Sequence, residues 1–186
     1  MLRVAGILNE SIVDGPGIRA VVFFQGCPRH CEGCHNPSTL PFEGGTEYTP
    51  EDLAQDVIKR LTPLHRGITL SGGDPLAQAD GVLEFLQAIK KLKPGLNVWC
   101  YTGYLYNEVK NLPVLKEINV LVDGPFILAQ RDLDFPYRGS RNQRILDVQE
   151  SFRQGKPVVW AKLHDQERFI PEIYGKERAA GEGDAS

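Results

Sequence analysis

The chain has 186 residues, 41% of them hydrophobic, and a formal net charge of −3. That is enough apolar material for one globular domain with a sizeable core. The near-balanced charge and the lack of a long basic stripe argue against nucleic acid as the main partner, and no run approaches the roughly 20 apolar residues of a membrane span.

Met1 leads straight into an alternating segment, Leu2-Arg3-Val4-Ala5-Gly6-Ile7-Leu8, which reads as a strand and not as a secretory leader. The expected location is the cytoplasm, where thiols stay reduced. Residues 18–24 are predicted as a buried strand, followed by a long loop through Asn36-Pro37 and Gly44-Gly45. Thr49 has the signature of a helix N-cap, with Pro50 at the first helical position and Asp52 three residues after the cap. That helix runs to about Leu61 with Leu53, Val57, Ile58 and Leu61 on one face. A strand over 67–70, the turn Ser71-Gly72-Gly73-Asp74-Pro75 and a helix over 76–92 come next. Strands over 97–101 and 120–122 flank a short helix over 105–110. Arg19 alternates with apolar neighbours and is expected to face solvent or a carboxylate; Cys100, inside a strand pattern, is expected to be a buried thiol.

Strands separated by helical segments of this length imply βαβ units and a parallel sheet. Right-handed crossovers bring the loops after the strands to one rim. The cysteine-bearing loop, Gly72-Gly73-Asp74, Thr102-Gly103 and Asp123-Gly124 would meet there, where open α/β sheets and barrels bind ligands.

Three of the four cysteines fall within eight residues, Cys27-Pro28-Arg29-His30-Cys31-Glu32-Gly33-Cys34. Three thiolates on one loop suit three corners of a 4Fe-4S cluster, whose fourth iron is then left for a small molecule. The alternative is a zinc site with His30 or His35 as fourth ligand. A cluster predicts a brown, oxygen-sensitive protein, and zinc a colourless one. A disulfide framework fits poorly, because three clustered cysteines and one distant one make no set of pairs.

The cysteine spacing resembles that of radical S-adenosylmethionine enzymes. The segments Asp14-Gly15-Pro16-Gly17-Ile18-Arg19, Phe23-Phe24-Gln25-Gly26-Cys27 and Cys31-Glu32-Gly33-Cys34-His35-Asn36-Pro37 resemble the activating enzymes of glycyl radical enzymes. Within that group the chain is similar to the activating proteins of anaerobic (class III) ribonucleoside-triphosphate reductase. Ser71-Gly72-Gly73-Asp74-Pro75, Val122-Asp123-Gly124-Pro125-Phe126 and Arg138-Gly139-Ser140-Arg141-Asn142-Gln143-Arg144 carry this narrower likeness, which runs from about residue 5 to 147.

The resemblance implies an incomplete parallel (βα) barrel of about four to six strands, open on one side. A full barrel takes about 250 residues, more than this chain has. It implies that Cys27, Cys31 and Cys34 ligate three irons of a 4Fe-4S cluster, the fourth being chelated by the methionyl group of S-adenosylmethionine. Gly72 and Gly73 match a Gly-Gly-Glu motif whose backbone carbonyls receive the cofactor's amino group; Asp74 stands in for the Glu, one methylene shorter. Gly33 occupies a position often aromatic, leaving only a backbone contact to the adenine. Cys34 also belongs to the implied cofactor-binding set, and His35 and Asp123 would border the adenosyl moiety. Tyr101-Thr102-Gly103 lacks the acidic residue of the bound-cation site of larger relatives, so no such site is expected.

The implied reaction passes one electron from a donor such as flavodoxin or ferredoxin, through the cluster, to the cofactor. The resulting 5′-deoxyadenosyl radical takes a hydrogen from a glycine of the partner reductase. No side chain is required as acid or base. Activation of a formate-lyase-type glycyl radical enzyme, or a small-molecule radical reaction such as deazaguanine synthesis, are the alternatives. Arg138, Arg141 and Arg144 are read either as a docking surface for the partner or as a solvated loop. The expected organisation is a radical domain over 1–147, an extension over 148–178 and a disordered tail over 179–186.

Overall fold

The structure is a computed structural model and describes residues 1–132 and 134–161. The predicted tail over 179–186, and the part of the predicted extension over 162–178, lie outside the described residues.

The chain forms β1 (Leu2–Ser11), β2 (Ile18–Phe24), β3 (Thr46–Tyr48), α1 (Pro50–Arg60), β4 (His65–Gly72), α2 (Ala79–Leu92), β5 (Val98–Tyr101), α3 (Tyr106–Val109), β6 (Val120–Asp123), β7 (Arg144–Asp147) and α4 (Val148–Gln154). Among the described residues seven strands form one open sheet, in the order β3-β1-β2-β4-β5-β6-β7. β2, β4, β5 and β6 run parallel, whereas β1 and β3 on one side and β7 on the other pair antiparallel. The expectation of four to six parallel strands is therefore corrected to seven in a mixed sheet. β3 and β7 escape sequence patterning because each is only three or four residues long and is ordered by its neighbour strand. Residues 158–160 continue past β7: Asp147 N donates to Val158 O at 2.9 Å and Trp160 N to Ile145 O at 2.9 Å.

Alternation along the strands builds two apolar layers. Ala20, Val22, Phe24, Ile68, Leu70, Val98, Cys100, Leu121 and Leu146 join α1 residues Leu53, Ala54 and Val57 and α2 residues Val82, Phe85, Leu86 and Ile89 in the main core. Full burial of each Val, Leu, Ile or Phe side chain among these contributes about 1.5–3 kcal/mol. Cys100 is the fully buried thiol expected. A smaller cluster of Trp99, Val120, Val122 and Ile145, with Tyr101, Tyr137 and Trp160 against it, covers the opposite face. That second face is the one on which the functional site is built.

Local signals place the helices. Thr49 Oγ1 accepts from Asp52 N at 3.0 Å, as the cap pattern predicts, an arrangement worth about 1 kcal/mol. The helix expected from residue 76 instead begins as a 3-10 turn over Pro75–Gln78, capped by Asp74, before α2 proper. Arg19 is also corrected. It is 1% exposed and meets neutral acceptors: Nε donates to Thr69 Oγ1 at 2.8 Å, and Nη2 to Ile68 O at 2.6 Å and to Asn97 Oδ1 at 3.0 Å. Burial lowers its pKa to about 10. Among the described residues no helix is long and apolar enough to cross a membrane.

Candidate functional site

The loop after β2 is held at its root before the cysteines begin. Gly26 N donates to Thr39 O at 2.8 Å, Cys27 N to Leu40 O at 3.0 Å, and Gln25 Nε2 to Pro41 O at 2.6 Å. Gly33, at φ +69°, allows the turn in which Cys34 N donates to Cys31 O at 3.2 Å. All four cysteines are free thiols; Cys27 is buried, Cys31 and Cys34 half-buried. Burial pushes the Cys27 thiol up, while the Arg29 backbone N–H, 3.4 Å from its sulfur, acts in the opposite direction.

Beside this loop stands the turn that ends β4. Gly73 N donates to Phe24 O at 2.8 Å and Asp74 N to Gly26 O at 2.9 Å. Gly72 adopts φ +101°, and a Cβ there would lie 2.5 Å from Phe24 N. Small residues here are thus required by the backbone of β2 and the cysteine loop themselves. The Asp74 side chain is fully buried. Its oxygens accept from Leu76 N, Thr102 Oγ1 and Gly103 N, each at 3.0 Å, so it ties the end of β4 to the end of β5.

Asp123 is buried in the same way at the end of β6. It accepts from Tyr106 N at 2.7 Å and forms an ion pair with Arg144 through Nη2 at 2.5 Å. The adjacent Gly124 carries the chain into the wall that faces the cysteines. There His35 packs against Phe126 with ring centroids 4.7 Å apart.

These elements enclose one cavity of about 750 Å³. Of the residues singled out in the sequence, Cys27, Cys31, Cys34, His35, Gly72 and Gly73 line it. Gly33, Asp74 and Asp123 are not among its lining residues: Gly33 is exposed, and the two aspartates are fully buried. Sequence patterns missed much of the remaining wall. Ile12 and Val13, both 71% exposed, lie at one side, and Phe126, Phe135 and Tyr137 come from a strand-free stretch. Tyr137 has φ +60°, rare for a non-glycine residue; its carbonyl accepts from Tyr101 Oη at 2.8 Å and its ring meets Trp99 edge-on at 5.4 Å. Its positive φ has no sequence signal. Arg29, between the first two cysteines, also lines the cavity.

Three thiols on one loop are suited to a cluster, which takes one thiolate per iron. A mononuclear site needs all its ligands on one ion, and among the described residues no three His, Cys, Asp or Glu side chains are grouped to hold one.

A family model described as a 4Fe-4S single cluster domain matches residues 13–146. A protein of Vibrio cholerae is 41% identical over 145 residues, covering 72% of this chain and 90% of its own length. One of Salmonella typhi is 41% identical over 139 residues, with 71% and 90% covered. One of Enterobacteria phage T4 is 36% identical over 140 residues, with 72% and 86% covered. All three bear the name anaerobic ribonucleoside-triphosphate reductase-activating protein.

Proposed function

The chain belongs to the family of anaerobic ribonucleoside-triphosphate reductase-activating proteins, and on that premise we propose that it activates such a reductase by reductive cleavage of S-adenosylmethionine at a 4Fe-4S cluster. The observation that carries this reading is the convergence of Cys27, Cys31, Cys34, Gly72 and Gly73 on one cavity of about 750 Å³. That size suits a cofactor-sized ligand.

The residues present fit the two groups. Cys27, Cys31 and Cys34 would each hold one iron, leaving the fourth for the methionyl amino and carboxylate groups. When bound, the two groups would together supply one-electron reductive cleavage of the C5′–S bond, giving methionine and, with one hydrogen atom taken from a glycine of the partner, 5′-deoxyadenosine and a glycyl radical on that partner.

The protein's own part is to bind, orient and exclude water. The backbone of Gly72 and Gly73 would receive the amino group. His35, steadied by Phe126, would border the adenosyl moiety, with the Gly33 backbone near the adenine. Asp74 and Asp123 would act through the turns they brace. No side chain has to give or take a proton.

In this reading the open sheet is a partial barrel of the radical S-adenosylmethionine type, and its lateral gap admits the partner's glycine segment. Residues 1–147 form the radical domain and 148–178 an extension; the protein works in the cytoplasm with flavodoxin or ferredoxin as electron donor. The test is anaerobic reconstitution and reduction, followed by assay of 5′-deoxyadenosine and of the glycyl radical signal on an anaerobic reductase. A reconstituted, reduced protein that forms neither would refute the proposal.

A further inference from the structure

β1 is ten residues long, and β2 pairs with it from Val4 to Ser11. On the other side of β1, β3 covers only Leu2, Arg3 and Val4. Among the described residues no strand pairs with residues 5–10 from that side, and Ala5, Gly6, Leu8, Asn9 and Glu10 are exposed. At about 3.3 Å per residue this leaves an open ladder edge about 20 Å long. His65 Nε2 meets the Asn9 carbonyl and Arg60 Nη1 its side chain, each at 2.8 Å, so the strand is held in place although its edge is unpaired. Open edges of this length are normally guarded by lysine, proline or a covering loop. Ala5-Gly6-Ile7-Leu8-Asn9-Glu10 contains neither residue, and Glu10 is its one charge.

The edge also borders the site. Ile7 packs against the helix-facing core, so Gly6 and Leu8 present the opposite face, on which the cavity is built. Gly6 stands across the ladder from Phe23, which lines the cavity, and a Cβ at Gly6 would meet nothing within 4 Å. Leu8 is 46% exposed, and Ile12 and Val13, just past the end of β1, belong to the cavity wall. Backbone N–H and C=O groups at strand spacing are matched by another extended backbone. We propose that residues 5–10 of β1 take up an extended segment of the reductase as an added strand, with an apolar side chain of that segment over Gly6 beside Leu8, and so lead its glycine to the cavity. A second copy of this chain, or its own residues 162–186, also offers backbone, but either would stand across the side by which the glycine enters.

The identity of the partner rests on the function proposed above; the open edge does not. Amide hydrogen exchange of residues 5–10 in the reconstituted protein reads the edge directly and needs no cofactor turnover. Exchange should be fast in the free protein, and a saturating amount of the cognate anaerobic reductase should slow it about tenfold, the effect of gaining a ladder hydrogen bond. Unchanged exchange at saturating reductase would overturn the proposal. Slow exchange already in the free protein would overturn it too, assigning the edge to a second copy if it depends on protein concentration and to residues 162–186 if it does not. Leu8→Lys places a guard residue on the edge. It should raise the half-saturating reductase concentration for glycyl radical formation about tenfold, the worth of one leucine contact, and leave 5′-deoxyadenosine formation without reductase within about twofold of wild type. Equal half-saturation for variant and wild type, or loss of the reductase-free reaction in the variant, would remove Leu8 from a partner surface. Wild-type protein that forms no 5′-deoxyadenosine, while reductase still protects residues 5–10, would defeat the proposed reaction and leave the added strand standing.

Discussion

The backbone of Gly73 rests against the carbonyl group of Gly26, so that a Cβ at 73 would lie 2.7 Å from the Gly26 carbonyl carbon and 2.8 Å from Thr39 O. The glycine turn after β4 and the root of the cysteine loop are therefore one packed unit. A side chain at 73 cannot be accommodated by a rotamer change, because the atoms it meets are main chain.

Replacing Gly73 by Val should consequently displace the cysteine loop as well as hinder ligand approach. The expected result is loss of most cluster iron together with cofactor binding. Gly72→Val adds the strain of a β-branched residue at φ +101° and should behave similarly. Iron per chain after anaerobic reconstitution measures this. A full iron load with only cofactor binding impaired would show that the loop tolerates the substitution.

Cys27→Ala, Cys31→Ala and Cys34→Ala should each abolish the 4Fe-4S spectrum and 5′-deoxyadenosine formation. Cys100→Ala should preserve both, at a cost of about 1 kcal/mol for the small void left in the core. Cys100 is fully buried among the residues of the helix-facing core and is absent from the cavity wall. Iron analysis and urea unfolding give the two readouts. Retention of the cluster by the Cys31 variant, with loss in the Cys100 variant, would reverse the ligand assignment.

Asp74→Asn should destabilise the fold by about 1–3 kcal/mol, since an amide cannot accept from all of the donors gathered there. The difference should depend on pH. Burial holds the Asp74 carboxyl above its ordinary 3.8, against the hydrogen bonds from Gly103, Leu76 and Thr102 that pull it down. The folded protein thus keeps this proton to a higher pH than the unfolded chain does. Its contribution to stability is full below 3.8 and declines as pH rises through the raised value. The margin of wild type over Asp74→Asn should be widest at acid pH and narrow toward neutrality in paired denaturation curves. A margin that widens with pH would contradict the burial argument.

The three arginines of the 138–144 stretch have separate tasks. Arg144 pairs with fully buried Asp123, and Arg144→Met should cost about 2 kcal/mol, less than a wholly buried pair because solvent reaches the arginine. Arg141 has a 63% exposed side chain and pairs with Asp132 at 2.7 Å, while Arg138 lies over Phe135 at 4.3 Å in the cavity wall. If this face docks the reductase, Arg141→Glu should spare cofactor cleavage without partner and lower glycyl radical yield up to about a hundredfold at limiting reductase. Equal yields for variant and wild type at every reductase concentration would remove Arg141 from the interface.

The strands and helices that carry strong periodicity were legible in the sequence. β2 has its predicted bounds, and Thr49, Pro50 and Asp52 start α1 as their spacing requires. The cysteine loop and Gly72-Gly73 were legible because ligand spacing and turn chemistry are local. Arg19 was misread because its acceptors, Ile68 O and Asn97, lie about 50 and 80 residues away and are uncharged. Of β7 only Arg144 was read, as the end of a polar run with arginines, because Ile145 and Leu146 become a strand through pairing with β6. Tyr137 and Phe135 reach the cavity on a loop, where no period encodes direction.

β6 has its second neighbour only when residues 144–147 are present, and 158–160 lie beyond them again. Synthesis proceeds from the N-terminus at about 5–20 residues per second. A nascent chain therefore completes the cysteine loop and the glycine turn while one sheet edge and the Tyr137 wall are still to come. Cluster insertion can begin on a half-built cavity, and the last stretch of chain closes it. Ribosome-stalled chains in which residues 1–130 have cleared the exit tunnel should accept iron and sulfide yet leave the β6 edge open to protease, and chains in which residue 161 has cleared it should protect that edge.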